Sequence, residues 1–425
     1  MIDTTTLFVK TIWFISWQSV CYFFGRPRID CISNIADYLS GINIIYSKVF
    51  QSLSSGANIL SVEEMNYLSQ FNDTAPYKGT DVHDIRDIIS ALNKKCGTDL
   101  DVSHTVPERA GMVALVYYGT LGGKDVVIKV KRRDIEFRLE DALSKMRAVV
   151  NISSYLPWLN RLYLPTIFEE NIADMMNQLD FSNEVRNLSL YKKSYRNMDF
   201  VKIPDVYGEF TDADSRVIVM ERLYGRRLHD IESLEEKAVY GPLVARFSMK
   251  SILYDRRYHA DLHAGNIFFI GNGDEDRQIG VIDFGIVGTI TKEAQDSFYN
   301  FFKSVLVDDD YVEGSNILLS RLVEPKSVYD EMSDSRKKRL LEKMAEVASD
   351  AFGPDSVLDA RTVYRINSVL IDYGLQLSRS FCRIQLSLAV CASVCNELCK
   401  VGDNYMHHVS EVTRSMMSER DMFDM

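Results

Sequence analysis

The sequence of 425 residues predicts an α+β fold with two lobes and a helical extension at its N-terminus. Apolar residues recur at helical spacing before residue 105 and again after Lys292. Between these regions, short runs of β-branched and aromatic residues bounded by glycine are typical of strands. Helices therefore precede, interrupt and follow one small sheet.

Composition and charge limit the classes of partner. The chain is 46% hydrophobic and 26% charged, which is typical of a folded protein, and its length allows two domains or one large bilobal domain. A formal net charge of -11 opposes binding to a phosphate backbone, so we expect no nucleic-acid partner. The seven cysteines lack the spacing of a disulfide framework and indicate a reducing, intracellular compartment.

The segment from Leu7 to Phe24 is the most apolar part of the N-terminus. Its uncharged run, Thr11 to Gly25, has fifteen residues, fewer than the about 20 that span a bilayer. It does not resemble a signal peptide, because Asp3 occupies the region that would be basic. Two interpretations stay open: a helix that lies on a membrane surface beside Arg26 and Arg28, or a helix packed on the rest of the protein.

The strand pattern begins after residue 105. Met112 to Leu121 and Val126 to Lys131 are joined by Gly122-Gly123, which predicts a β-hairpin. Arg216 to Met220 predicts a further strand. Two short strands, Asn266 to Ile270 and Ile279 to Asp283, flank a polar turn.

The remaining periodic segments predict helices. Before the hairpin these are Ile32 to Leu39, Tyr46 to Leu53 and Val82 to Leu92; after it, Ile135 to Tyr195, broken at Pro157 and Pro165. From Lys292 onwards we expect only helices, in the runs Ala294 to Val307, Lys338 to Ala351 and Tyr364 to Leu398. The predicted parts are a helical extension over 1–105, a sheet-bearing lobe over 106–224 and a mostly helical lobe over 225–425.

One constellation of polar residues carries the chemistry. The segment HADLHAGN contains Asp261 and Asn266 at the five-residue spacing of a kinase catalytic loop, and Asp283 of a DFG sequence follows seventeen residues later. Phosphoryl transfer needs a carboxylate beside the acceptor hydroxyl and oxygen ligands for Mg²⁺. We therefore expect Asp261 to be catalytic and Asn266 and Asp283 to bind metal. The alternative is that these residues merely form a turn, a cap and a strand end.

Two upstream segments supply a nucleotide site of the same kind. Lys129 ends the run VVIK, where a kinase fold places the lysine that contacts the α and β phosphates of ATP. The alternative is a solvent-facing lysine on an edge strand. The run VIVMERLYG predicts a strand and a hinge, whose backbone near Glu221 and Leu223 would face the adenine. The alternative is an ordinary core strand.

Taken together, these motifs resemble the UbiB family of atypical kinase-like proteins, whose members are linked to coenzyme Q and other isoprenoid-lipid metabolism. The resemblance rests on KVFQ, VVIK, LDFSNE, VMERLYG, HADLHAGN and IDFGIVG, in that order along the chain. It implies a bilobal protein-kinase-like fold that binds ATP and Mg²⁺. It also implies an isoprenoid lipid or a membrane surface as a partner.

The resemblance assigns further residues. Glu184 is similar to the helix glutamate that pairs with Lys129, and Ala110 and Gly111 fall where the family has its alanine-rich nucleotide loop. Lys48 and Gln51 correspond to the family's KxGQ motif, which restrains ordinary protein-kinase activity. The chain departs from the family at Phe50, where glycine is expected, and also at Gln178 of the family's ExD motif and in the large residues around Ala110.

These observations favour an ATP- and Mg²⁺-dependent atypical kinase or ATPase. Two other hypotheses stay open: a small-molecule kinase of the aminoglycoside- or choline-kinase type, which shares the HxDxxxxN spacing, and a catalytically weak, nucleotide-gated scaffold. The segments KVFQ and LDFSNE favour the first of the three hypotheses. The absence of an APE sequence after DFG argues against a conventional peptide-binding activation segment.

Overall fold

The computed structural model describes residues 4–42, 63–64, 67, 77–153, 172, 176–271, 276–353, 360–400 and 405–423. Within these ranges, the strands in chain order are β1 Asp101–Val102, β2 Arg109–Ala110, β3 Ala114–Leu121, β4 Lys124–Lys131, β5 Val201–Lys202, β6 Val217–Glu221, β7 Arg257–His259, β8 Ile267–Ile270, β9 Gln278–Val281, β10 Val287–Thr289, β11 Val323–Glu324 and β12 Gln376–Leu377.

The described helices, also in chain order, are α1 Thr4–Phe23, α2 Arg28–Ile42, α3 Ile85–Cys96, α4 Ile135–Ser153, α5 Phe181–Ser194, α6 Gly208–Ala213, α7 Leu234–Ala238, α8 Tyr240–Leu253, α9 Lys292–Leu306, α10 Tyr311–Arg321, α11 Lys326–Asp330, α12 Asp334–Phe352, α13 Ala360–Asp372, α14 Arg379–Leu398 and α15 Tyr405–Phe423. Short 3₁₀ turns occur at Gly79–Asp81, Leu228–Asp230 and Ala264–Asn266.

The described residues group into two compact units. Unit 1 draws on Met1–Arg186 and Asp205–Arg222, and unit 2 on Asn187–Pro204 and Leu223–Met425. Unit 1 holds the largest sheet and unit 2 holds most of the helices. The predicted α+β fold is confirmed, whereas the predicted division at residues 105 and 224 stays a prediction.

The sheet of unit 1 is antiparallel, with β3 and β4 at its centre. Its order is β1-β3-β4-β6, and β2 also pairs with β3, at Leu115 and Val116. Gly122 and Gly123 form the turn between β3 and β4 with φ values of 56° and 77°, a conformation that glycine adopts without a steric penalty. This turn pairs Leu121 with Lys124 and so sets the register of the whole hairpin.

Helix α3 covers one face of this sheet. Asp84 caps its N-terminus by accepting a hydrogen bond from the Arg86 N–H, and Gly97 ends it in a left-handed conformation. Its buried residues recur at helical spacing and pack against alternate residues of the strands: Ile85, Ile88, Ile89 and Leu92 on the helix, with Leu115, Tyr117, Val126, Ile128 and Val130 on the sheet. This hydrophobic cluster therefore lies on the face of the sheet that α3 covers.

At the N-terminus, α1 and α2 pack against each other. The Cys31 thiol donates to the Gln18 carbonyl across the pair, and the rings of Phe14 and Tyr38 stack with centroids 4.4 Å apart. Arg28 forms an ion pair with Glu64 at 2.6 Å. The predicted helix Tyr46 to Leu53 lies outside the described residues.

Unit 2 contains short sheets that carry polar turns. β9 pairs in parallel with β5 and antiparallel with β8, and β7 pairs antiparallel with β10. β5, β7 and β10 were not predicted, because two- and three-residue strands give too little periodicity to detect. These strands determine where the polar segments after β7 and β9 lie.

The prediction that everything after Lys292 is helical was wrong in two details. β11 and β12 form an antiparallel pair within this region. The run predicted as Tyr364 to Leu398 is divided into α13 and α14, because Gly374 adopts a left-handed conformation with φ of 76° and cannot continue a helix. The helical period was therefore correct, but the break was missed.

Cys391 and Cys395 are buried on α14, on the side that faces α8, and Cys399, directly after the helix, is also buried. The thiols of Cys391 and Cys395 donate to the carbonyls of Val244 and Gly241 at 3.9 and 3.7 Å. Among the described residues, no group of three or more His, Cys, Asp or Glu could hold a metal ion.

One described helix, Arg379–Leu398, is long and apolar enough to cross a bilayer. However, 59% of it is buried inside the protein, and the core helix of a globular domain meets the same criteria. Length and hydropathy therefore give only weak evidence for a membrane span here.

Candidate active site

Lys129 lies on the central strand β4, which is paired with β3 on one side and β6 on the other. Alternation along the strand places Ile128 and Val130 in the core that α3 covers and Lys129 on the opposite face. The Lys129 side chain is 11% exposed, and its Nζ lies 2.5 Å from Oε1 of Glu184. Lys129 is therefore neither on an edge strand nor solvent-facing.

Glu184 lies in the first turn of α5 and is itself 6% exposed. Asp180 begins this helix: its Oδ1 accepts from the Asn183 N–H at 3.1 Å, and its carbonyl accepts from the Glu184 N–H. Removing one partner of a buried ion pair typically costs 3–5 kcal/mol, because the other charge remains buried. Each side chain therefore depends on the other to keep its buried position.

The predicted nucleotide loop follows β2. Ala110 is paired with Leu115 of β3, and the Gly111 N–H donates to the Ala114 carbonyl at 2.8 Å, which closes a tight turn. Gly111 is exposed and Ala110 is half-buried. The turn therefore presents backbone at the surface of unit 1.

The predicted hinge begins at the end of β6. The Glu221 N–H donates to the Asp205 carbonyl at 2.7 Å, and Glu221 Oε2 accepts from the Asp205 N–H at 3.1 Å. The second segment of unit 2 begins two residues later, at Leu223, whose side chain is buried. The chain thus passes from one unit to the other at the predicted hinge.

Three residues of the KxGQ-like segment, Lys48, Phe50 and Gln51, lie outside the described residues. Of the two ExD positions, Gln178 is half-buried and Asp180 is used as the cap of α5. The carboxylate of Asp180 therefore has a structural role within unit 1.

In unit 2, Asp261 and Asn266 lie in the segment between β7 and β8. The Asn266 Nδ2 donates to the carbonyl of Asp261 at 2.9 Å, which joins the two residues across the loop. Because the amide nitrogen is used in this way, the Oδ1 of Asn266 is the atom that can ligate a cation. His263 caps the 3₁₀ turn between them by accepting from the Gly265 N–H.

Asp283 comes two residues after the end of β9. β8 and β9 pair Ile267 with Val281, and the Ile282 N–H donates to the Asn266 carbonyl at 3.1 Å. This register brings Asn266 and Asp283 to the same end of the hairpin. The Gly285 N–H donates to Asp283 Oδ1 at 3.0 Å, which fixes the orientation of the carboxylate.

His259 connects the two polar segments, a role that the sequence did not reveal. Its Nδ1 accepts from the Asp261 N–H at 3.2 Å, so the proton is on Nε2, which donates to the Asp283 carbonyl at 2.6 Å. The His259 carbonyl in turn accepts from the Ser387 hydroxyl of α14, and the Phe284 carbonyl accepts from Asn187. These partners are distant in sequence, so no local pattern could have identified them.

Burial lowers the pKa of His259, and this effect outweighs the hydrogen bond to the Asp283 carbonyl and the nearby charges of Asp261 and Asp283. The imidazole is buried, with 3% of the residue exposed. It is therefore neutral in the folded protein at neutral pH.

The oxygen donors of Asn266 and Asp283 fit a hard cation. Mg²⁺ prefers oxygen ligands and usually takes one or two from protein side chains, the remainder coming from water and substrate phosphates. One amide oxygen and one carboxylate at the same end of a hairpin match this need. A site for a cation such as Zn²⁺, with three or four His and Cys ligands, is not formed by the described residues.

A sheet lysine held by a helix glutamate, in one unit, and a catalytic-loop spacing followed by a DFG turn, in the other, define a kinase-like protein. Comparison with known proteins agrees: residues 80–315, more than half of the chain, match the ABC1 atypical kinase-like domain. The chain belongs to this family, that of the UbiB atypical kinase-like proteins, as its motifs predicted.

Curated relatives give the same family. A "Probable protein kinase UbiB" of Actinobacillus pleuropneumoniae is 29% identical over 283 residues, which is 62% of this chain and 51% of the relative. That of Glaesserella parasuis is 33% identical over 194 residues, 43% of this chain and 34% of the relative. The chain thus spans about half the length of the first relative and about a third of the length of the second.

Among solved structures, the complex of Rv3197 with erythromycin from Mycobacterium tuberculosis is similar to this chain. The TM-score is 0.50 at 16% sequence identity, and the alignment covers 81% of this chain and 84% of the other. At this identity, the likeness concerns the fold alone.

The neutral state of His259 predicts a pH dependence of stability. The unfolded state binds a proton near pH 6.5, whereas the folded state binds it only at lower pH, so the free energy of unfolding falls as pH drops below about 6.5. This group contributes a slope of at most about 1.4 kcal/mol per pH unit. His259→Gln should lose that slope when urea unfolding is measured between about pH 5.5 and about pH 7.5.

His229→Gln is the matched control, because the His229 side chain is 83% exposed. It should unfold with the pH slope of the parent. A slope below pH 6.5 that is identical in the parent and in His259→Gln would contradict the assignment.

Proposed function

We propose that this protein is an ATP- and Mg²⁺-dependent atypical kinase or ATPase of the UbiB type. The observation that carries the proposal is the buried ion pair between Lys129 and Glu184. A buried ion pair is weak evidence for stability, because the cost of desolvation offsets most of the attraction. The same pair in kinases holds the lysine that contacts the ATP phosphates, which supplies a reason for its presence.

The polar groups of unit 2 have complementary roles in this proposal. Asn266 and Asp283 bind Mg²⁺, which when bound neutralises the charge of the phosphates. Asp261 orients the nucleophile and accepts its proton. His259 keeps the backbone of Asp261 and Asp283 in place through its two ring nitrogens. Most of the rate enhancement then comes from positioning and charge stabilisation.

In a kinase, the phosphate would be transferred to a small molecule, a lipid or a protein. In an ATPase, it would be transferred to water. The names of the curated relatives support a protein kinase of this family. The KVFQ and LDFSNE segments continue to favour this reading over a small-molecule kinase of the aminoglycoside type.

We also propose that α1 is the part of the protein that lies on a membrane surface. Its apolar aromatic side chains are strongly exposed: Trp13 is 66% and Phe23 is 83% exposed, and Phe24 directly after the helix is 81% exposed. The Trp13 and Trp17 rings stack with centroids 6.2 Å apart. Exposed tryptophan and phenylalanine side chains on one apolar helix are typical of elements that lie in the membrane interface.

Thermal unfolding with and without Mg²⁺-ATP tests the nucleotide site. A ligand that binds only the folded state stabilises it by about 2.7 kcal/mol at ~100 times its dissociation constant, so the parent should show a Mg²⁺-dependent rise in melting temperature. Asp283→Asn should lose most of the Mg²⁺-dependent part, because a neutral amide is a weaker magnesium ligand than a carboxylate.

Asp230→Asn serves as its control, since the Asp230 side chain is 48% exposed and lies outside the proposed site. This variant should respond to Mg²⁺-ATP as the parent does. If the well-folded parent shows no shift with any adenine nucleotide, the proposed function is wrong.

Cosedimentation with phosphatidylcholine vesicles tests the role of α1. The double variant Phe23→Ser, Phe24→Ser should reduce the bound fraction several-fold, because two apolar side chains that would enter the acyl region are lost. Phe137→Ser is the control, since Phe137 is 73% exposed but lies on α4. Equal binding of the parent and both variants would exclude α1 as the contact.

A further inference from the structure

Arg132 makes an unusual set of hydrogen bonds inside unit 1. It directly follows β4, three residues after Lys129, and its side chain is 1% exposed. The guanidinium grips one carbonyl oxygen with two of its nitrogens: Nε and Nη2 lie 2.9 and 2.6 Å from the oxygen of Gly111. Gly111 belongs to the predicted nucleotide loop. The guanidinium therefore fixes a backbone group of that loop.

Asp81 holds the guanidinium in this position. Its Oδ2 accepts from Arg132 Nη1 at 3.0 Å and from the Lys78 N–H at 3.1 Å, and its Oδ1 accepts from Arg138 Nη1 at 2.7 Å. Burial lowers the pKa of Arg132, and the charge and hydrogen bond of Asp81 act in the opposite direction. The arginine thus keeps its charge in a buried position because the carboxylate is there.

The two hydrogen bonds from Arg132 to the Gly111 carbonyl also determine the direction of the Met112 N–H. The described chain has a single cis peptide, at Glu324-Pro325, so the Gly111–Met112 peptide is planar and trans. In a trans peptide the C=O and N–H bonds point in opposite directions, so the Met112 N–H points away from Arg132. Within the described ranges this N–H has no hydrogen-bond acceptor. A backbone donor is therefore held ready at the turn.

We propose that Arg132 is a positioning residue for the nucleotide: by holding the Gly111 carbonyl, it presents the Met112 N–H as a donor to a phosphate of ATP. The inference rests on the proposed function and adds to it how the phosphates are held. Of Glu108 to Met112 only Ala110 and Gly111 are small, and the guanidinium of Arg132 fixes the orientation of the backbone there by holding the Gly111 carbonyl. Asp81 acts through Arg132.

The test compares Arg132→Lys with the parent in binding to Mg²⁺-ATP and to adenosine, by isothermal titration of the full chain. Lysine keeps the charge but cannot place two donors on one carbonyl oxygen. The dissociation constant for Mg²⁺-ATP should rise about tenfold, while that for adenosine, which has no phosphate, stays the same. KM for ATP should rise by the same factor with kcat nearly unchanged.

Arg138→Lys is the matched control, because Arg138 contacts the same carboxylate of Asp81 at 2.7 Å but makes no hydrogen bond to Gly111 within the described chain. It should keep the parent's ratio of ATP to adenosine affinity. If Arg132→Lys does not fold, Asp81→Asn replaces it, and the ratio should shift in the same direction by a smaller factor.

The outcomes separate the two proposals. If the parent binds both ligands and Arg132→Lys, or its replacement Asp81→Asn, keeps the parent's ratio, the positioning role is wrong and the proposed function stands. An equal loss of affinity for both ligands would also overturn the positioning role of Arg132, because such a loss would indicate a general loss of structure. If the folded parent binds neither ligand, the proposed function fails and this inference fails with it.

Discussion

A buried ammonium group needs a nearby carboxylate, and in unit 1 this requirement links Lys129 of the sheet to helix α5, whose Glu184 lies 55 positions later in the chain. Lys129 lies on a central strand, and its side chain is 11% exposed, so water does not solvate its charge fully. The glycine turn at Gly122 and Gly123 sets the register that keeps Lys129 off the core face. A slip of one residue would move Lys129 into the core and Ile128 out of it. The α5 cap at Asp180 then supplies Glu184 at the matching place.

In unit 2, hydrogen bonds to the backbone hold the polar side chains of the candidate site in position. The amide nitrogen of Asn266 donates a hydrogen bond to the Asp261 carbonyl, and the Gly285 N–H orients the carboxylate of Asp283. His259 ties both segments together and must be neutral to do so, since a protonated Nδ1 could not accept from Asp261. Because each polar side chain is held by main chain, the arrangement of this segment depends little on long, flexible side chains.

The sequence predicted the elements whose pattern is local. The hairpin follows from β-branched alternation around two glycines, and α3 follows from Ile85, Ile88, Ile89 and Leu92 at helical spacing. The residue spacing of a kinase catalytic loop also identified Asp261, Asn266 and Asp283 as candidates. Contacts between distant residues were not accessible: Asp81 and Arg132 are 51 positions apart, and His259 and Ser387 are 128 apart. Arg132 looked like one more basic residue near a strand end, because no periodicity distinguishes a buried guanidinium from a solvated one.

The central claim is that the protein turns over ATP, and the most direct measurement is the rate of ADP formation from Mg²⁺-ATP by the parent and by Asp261→Asn at saturating nucleotide. The account predicts ADP formation by the parent. In the variant, the rate should fall by about 10²- to 10⁴-fold while Mg²⁺-ATP still binds, because only the proton acceptor is lost. With water as the only acceptor present, no ADP from a parent that binds Mg²⁺-ATP would exclude an ATPase, whereas an equal rate of ADP formation in both proteins would contradict the catalytic role of Asp261 and favour a nucleotide-gated scaffold.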